Sequence, residues 1–126
     1  MSHKILVVED NDRNRRLLKI LLKSNKYEVA EAASGEEAMN YLSKEKPDLI
    51  LMDIQLPHID GLELTKRIKD EPETKDIPIV AVTAYAMKGD RERILEAGCD
   101  DYISKPINTR EVPGIIARTL QNNSDQ

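Results

Sequence analysis

Five side chains able to do chemistry fall at the ends of apolar runs in this chain. Glu9 and Asp10 follow residues 5–8, Asp53 follows 49–52, Thr83 follows 77–82, and Lys105 comes just after Tyr102 and Ile103. If the runs are strands of one sheet, these groups meet at a common rim. Three carboxylates brought together there repel one another by about 4 kcal/mol per close pair at an effective dielectric of about 20, so a cation is expected among them. Carboxylate and main-chain carbonyl oxygens without Cys or His are hard ligands, and two direct carboxylates plus waters suit Mg²⁺ better than Ca²⁺ or Zn²⁺. Lys105 can then place a point charge on one phosphoryl oxygen, and the Thr83 hydroxyl can donate to another. Asp53 becomes the nucleophile, because a carboxylate can form an acyl phosphate. Charge neutralisation and in-line positioning would provide most of the rate.

Each residue alone has a plainer meaning. An Asp that closes a strand is usually a helix cap or a solvated turn, and Glu9-Asp10 alone could be a solvated loop. Thr83 could be an ordinary strand residue and Lys105 a surface charge. Only their shared placement separates a site from these alternatives. Tyr102 by itself reads as a core residue.

The elements that must carry these groups follow from periodicity. Residues 5–8 form an unbroken apolar run, the pattern of a strand buried on both faces in a parallel sheet. A helix capped by Asn11 or Asp12 follows, with Leu17, Leu18, Leu21 and Leu22 inward and Arg15, Arg16, Lys19 and Lys23 outward. Tyr27, Val29 and Ala32 mark a short strand, and Ser34 with Glu37 is a capping box for a helix burying Ala38, Met39 and Leu42. Lys46-Pro47 stops that helix, and 49–52 is a second buried strand running into Asp53. The loop 55–61 is punctuated by Pro57 and Gly61 before a helix carrying Leu62, Leu64 and Ile68. Residues 77–82 make a further strand, a polar helix from about 90 to 97 closes at Gly98, and Tyr102 and Ile103 begin the last strand. Pro113-Gly114 predicts that the final helix starts late, with Pro113 in its first turn, or is kinked. That helix should reach about Leu120, leaving 121–126 as a disordered tail.

Strands alternating five times with helices through short loops predict an α/β fold, a doubly wound five-stranded parallel sheet with five helices and right-handed crossovers. Open sheets of this kind bind ligands beyond the C-terminal strand ends, where the reactive groups fall. With 126 residues, one domain spanning 1–126 with a core of about 4–120 is expected. There is no Phe or Trp and only four Tyr, so aliphatic side chains must fill the interior. A net charge of −4 without a basic block argues against nucleic acid as a partner. The lone Cys99 excludes an internal disulfide and a multi-cysteine zinc site. No apolar run approaches the ~20 residues of a membrane span, and the expected setting is cytoplasmic.

At Glu9-Asp10, Asp53 with Leu56-Pro57 and Asp60-Gly61, Thr83-Ala84 and Lys105-Pro106 the chain resembles the receiver domain of two-component response regulators. The likeness covers residue 4 to about 120, and the chain is similar to the DivK-like single-domain group. It implies a flavodoxin-like sheet of strand order 2-1-3-4-5 and a phosphorylation-activated switch in a phosphorelay, without a DNA-binding output domain. It also implies that a phosphohistidine, on a sensor histidine kinase or a histidine phosphotransfer protein, donates its phosphoryl group to Asp53 in a transfer that the receiver itself catalyses. Asp10, Asp53 and the main-chain carbonyl of Gln55 would bind Mg²⁺, with Glu9 acting through water, and the Lys105-Pro106 bond would be cis. Thr83 would move toward the phosphoryl group and Tyr102 would swing inward, changing how the surface of helix 4, strand 5 and helix 5 meets a downstream protein target. Gln55 and Tyr85 would tune dephosphorylation.

Other chemistries fit less well. A haloacid-dehalogenase phosphatase shares the Asp nucleophile, Mg²⁺ and Lys, yet needs a second Asp where Gln55 stands. A flavodoxin-like cofactor binder would need donors in its first loop, and residues 9–12, Glu-Asp-Asn-Asp, would repel a phosphate there. A receiver from a hybrid histidine kinase would share the chemistry and act as a relay.

Overall fold

A computed structural model describes residues 3–84 and 88–124 of the chain. Five strands alternate with five helices: β1 (Lys4–Val8), α1 (Asp12–Ser24), β2 (Glu28–Ala32), α2 (Gly35–Leu42), β3 (Leu49–Asp53), α3 (Gly61–Asp70), β4 (Ile79–Thr83), α4 (Lys88–Glu96), β5 (Asp101–Ser104) and α5 (Val112–Ser124). The strands are all parallel in the order β2-β1-β3-β4-β5.

The two-residue period of a strand divides its apolar side chains between two layers. Ile5, Val7, Leu49, Leu51, Val80 and Val82 face one side, where Leu18 and Leu22 of α1 and Val112, Ile116 and Leu120 of α5 cover them. Leu6, Val8, Ile50, Met52, Ile79 and Ala81 face the other, beneath Ala38 and Leu42 of α2, Leu64 and Ile68 of α3 and Ile94 of α4. Each fully buried Leu, Ile or Val stabilises the fold by roughly 1.5–3 kcal/mol, and burial on both faces is why these runs lack alternation. The sheet therefore has a rigid centre, and the loops leaving its C-terminal ends start from fixed points.

Local chemistry sets the helix ends. Asn11 caps α1 by accepting from the Asn14 N–H, and Ser34 caps α2 by accepting from the Glu37 N–H. Glu37 reaches back one residue beyond the cap and accepts from the Ala33 N–H at 3.2 Å, a variant of the expected capping box. α4 closes at Gly98, whose φ of +111° is left-handed, while Cys99 N–H reaches back to the Ile94 carbonyl.

Some boundaries differ from the sequence expectation. α2 ends at Leu42, short of Pro47, because the Ser43 hydroxyl bonds the Asn40 carbonyl and diverts the backbone into a turn. Ile77 lies in the turn before β4, its N–H held by Thr74, and Pro78 then delays the strand to Ile79. α4 begins at Lys88. α5 does start late, with Pro113 in its first turn, yet it runs to Ser124 and not to about Leu120. No Gly or Pro follows Leu120, so nothing in residues 121–124 breaks the helix, and a tail beginning at 121 is corrected. On α1, Leu17 is 37% exposed and lies outside the core face assigned to it, whereas Arg15 is drawn inward.

Candidate functional site

The parallel register brings four strand ends to one rim. Val8 pairs with Met52, Asp53 with Val82, and Thr83 with Ser104. Glu9 therefore leaves β1, Asp53 closes β3, Thr83 closes β4 and Lys105 follows β5, all within neighbouring positions of the same edge. Lys105 is anchored by its backbone N–H on the Thr83 carbonyl at 2.7 Å, and the Lys105-Pro106 peptide is cis.

Side chains converge from these anchors. Lys105 Nζ lies 3.1 Å from Asp53 Oδ1 and 3.7 Å from Glu9 Oε1. Asp53 Oδ1 also accepts from the Gln55 N–H at 3.0 Å. One carboxylate oxygen each from Glu9, Asp10 and Asp53 falls within 4.8 Å of the others. Glu9 and Asp53 are buried, 1% and 2% exposed, while Asp10 opens the cluster to solvent.

The two buried carboxyls are driven apart in acidity. Burial above all, then the neighbouring Asp53, raises Glu9 to about 8, against the pull of Lys105. Burial also pushes Asp53 upward, but Glu9, the Gln55 N–H and Lys105 outweigh it and hold the group below its ordinary value.

These residues fit a divalent hard cation. Glu9 Oε1 is buried without a hydrogen-bond donor, and three oxygen donors of the right class surround the same point. A buried acceptor left without a donor costs about 1–3 kcal/mol, which a cation or its water would recover. Glu9, Asp10 and Asp53 are the groups able to hold one.

Gln55 is exposed at the start of the β3–α3 loop, and Pro106 is exposed beyond Lys105. Thr83 is buried on the same rim. Tyr102 is half-buried, and its hydroxyl accepts from Arg91 Nε at 3.0 Å with the guanidinium 5.4 Å from the ring centre. Its ring packs against the core layer beneath α2, α3 and α4 while its polar tip reaches α4, so the core reading holds for the ring and not for the hydroxyl. Tyr85 lies outside the described residues.

Sequence reasoning missed three contributors. At Gly61 a Cβ would come within 2.5 Å of Ile54 Cα, so only glycine lets α3 start against the loop that leaves β3. The tight Asp60-Gly61 pair hinted at a turn, not at this approach. Arg15 and Arg91 looked like solvated helix charges, and their partners lie on other elements.

A parallel sheet with this rim defines a switch-type site of the open α/β class. The chain matches the response regulator receiver domain over residues 5–117, and it belongs to that family. It is 51% identical over 108 residues to the polar-differentiation response regulator DivK of Brucella ovis, covering 86% of this chain and 88% of that protein. A response regulator structure from Chloroflexus aurantiacus superposes with a TM-score of 0.91 at 37% identity, covering 96% of this chain and 99% of that one. The receiver domain of sensor histidine kinase PA1611 from Pseudomonas aeruginosa, with a magnesium ion in its active-site cleft, gives 0.87 at 37% identity over 96% and 99%. The protein is thus a two-component signalling receiver, a switch that works with histidine kinases and downstream targets. No described helix is long and apolar enough to cross a membrane.

Proposed function

We propose that Asp53 accepts a phosphoryl group from a phosphohistidine on a sensor kinase or histidine phosphotransfer protein, and that this changes partner binding. The observation that carries the reading is Lys105 Nζ seated 3.1 Å from the buried Asp53 carboxylate inside a three-carboxylate cluster. A carboxylate oxygen of Asp53 attacks phosphorus, the P–N bond breaks, and the imidazole nitrogen departs with the bonding pair. Lys105 neutralises charge gathering on one phosphoryl oxygen, and the Thr83 hydroxyl donates to another. Glu9, Asp10, Asp53 and the Gln55 carbonyl would hold Mg²⁺, which supplies the remaining neutralisation when bound.

Reversal is hydrolysis, in which water attacks phosphorus and the acyl oxygen returns to Asp53 as carboxylate. Gln55 and Tyr85 set the rate of that hydrolysis. Once phosphorylated, Thr83 and Tyr102 shift together, and the α4–β5–α5 face presents a different surface to a downstream protein.

The test is incubation with acetyl phosphate or a phosphorylated kinase, with Mg²⁺ or with chelator, followed by intact mass. Wild type is expected to gain one phosphoryl mass only with Mg²⁺, and Asp53→Asn none. An equally strong adduct on Asp53→Asn removes the assignment.

A further inference from the structure

Glu9 is fixed at three of its atoms, and one of the fixing groups is a side chain from α1. Its N–H donates to the Ala32 carbonyl at 3.0 Å, extending the β1–β2 pairing by one residue. Its Oε2 accepts from the Asn11 N–H at 3.4 Å. Its carbonyl accepts from Arg15 Nη1 at 2.9 Å. What remains is Oε1, turned toward Lys105 and the shared pocket without a donor.

The Arg15 fork is itself held at its other nitrogens. Nη2 lies 2.5 Å from Asp12 Oδ1, and Nε lies 3.4 Å from Glu31 Oε1 on β2. Lys19, one turn further along α1, takes the other Glu31 oxygen at 3.2 Å. The Arg15 side chain is 19% exposed, so this is a half-buried clamp joining β1, β2 and α1 around the backbone of Glu9. A planar guanidinium spreads its donors over three nitrogens in a rigid fork and so holds three separated acceptors in fixed directions, whereas an ammonium presents all three donors from one rotating nitrogen.

We propose that Arg15 is a positioning residue for the carboxylate pocket, acting through the Glu9 carbonyl to aim Glu9, and with it Asp10, at a bound cation. The proposal rests on the reading that this pocket takes Mg²⁺. Its charge is matched by Asp12 and Glu31, so its contribution is geometry more than field. Geometry and field predict opposite signs. A positive charge near a cation site repels the cation, so on Coulomb grounds alone its removal tightens Mg²⁺ binding. Loss of a group that orients ligands weakens binding, typically by 10–100-fold.

The experiment is calorimetric titration of the full chain with Mg²⁺ at fixed pH, for wild type, Arg15→Gln, Arg15→Lys and Asp53→Asn, with urea unfolding to confirm that each is folded. Arg15→Gln is expected to bind about tenfold more weakly at unchanged stoichiometry. Arg15→Lys, which keeps the charge and loses the fork, should fall between it and wild type. Should Arg15→Gln fail to fold, a weakened Arg15→Lys carries the proposal and a wild-type affinity in it ends it. Arg15→Gln binding as tightly as wild type, or more tightly, overturns the positioning role while leaving the Mg²⁺ pocket standing. Wild type that takes up no Mg²⁺, or Asp53→Asn that binds as well as wild type, overturns the pocket and the positioning role with it.

Discussion

Glu9 and Asp53 show how one pocket gives two identical functional groups different states. Depth in the sheet raises both, but Glu9 itself, the Gln55 N–H at 3.0 Å and Lys105 at 3.1 Å hold Asp53 below its ordinary value, whereas burial and Asp53 outweigh Lys105 and the Asn11 N–H at Glu9. An ionised carboxylate is the nucleophilic form, and its ammonium neighbour already stands where phosphoryl charge would develop. Lifetime belongs to a different residue. On the proposed function a bulky residue 85 restricts water, so Tyr85→Ala is expected to shorten the phospho-Asp53 half-life, read by intact mass after donor removal; an unchanged half-life would count against shielding. Cys99 gives a pH prediction of known sign. Burial raises its thiol to about 11, against a lesser lowering by Thr65. The unfolded chain then loses this proton before the folded chain does, so the thiol's contribution is complete below about pH 9 and declines as pH rises toward 11. Urea midpoints of wild type and Cys99→Ala should converge over that window. Iodoacetamide at pH 8 should modify Cys99 only after unfolding.

Elements place these residues by ending where they do. β3 stops at Asp53 and α3 must start at Gly61, folding back so closely that the Gly61 N–H bonds the Ile54 carbonyl at 2.8 Å. Gly61→Ala would put a methyl within 2.5 Å of Ile54 Cα, where ordinary contact begins near 3.4 Å. Either α3 or the end of β3 must shift by several tenths of an ångström or more. Misplacement approaching 1 Å costs about a hundredfold in rate. Phosphorylation by acetyl phosphate should therefore slow by roughly 10–100-fold in Gly61→Ala while its circular dichroism stays native. A wild-type rate would show that the loop yields elsewhere. The sequence disclosed the strands and the polar residues ending them, because burial on both faces leaves unbroken apolar runs and a charge must stop them. It could not disclose Gly61, since close backbone approach leaves no pattern. Arg15 sits at a polar position of the α1 period, and only the tertiary partners Glu9 and Glu31 show that it turns inward. Arg91 is hidden for the same reason, its partner Tyr102 lying on β5. Leu17 was misplaced because four leucines fit the helical period, and the groove has room for Leu18, Leu21 and Leu22.

At the scale of the whole molecule, the pocket draws Glu9 and Asp10 from the end of β1 and one residue each from the ends of β3, β4 and β5, four of the five strands. Those strands share two aliphatic layers that meet only through the sheet. Separating any one of the four from its neighbours would dismantle both the pocket and a core layer. A ligand in the pocket is therefore coupled to global unfolding and not to the fraying of one loop. A ligand confined to the folded chain stabilises it by RT ln(1 + [L]/Kd), about 2.7 kcal/mol at a hundredfold excess over Kd. Saturating Mg²⁺ should raise the urea-derived stability of wild type by that order and leave Asp53→Asn nearly unchanged. Amides of β1, β3 and β4 that exchange through global unfolding should gain the same increment, measured by native-state hydrogen exchange. If protection rose only in residues 53–61, the ion would be ordering a loop, and the coupling of site to sheet required for a switch would have to run by another route. Equal gains across the central strands would mean that occupancy of one rim is felt by the whole sheet, including the β5 edge where Tyr102 meets Arg91.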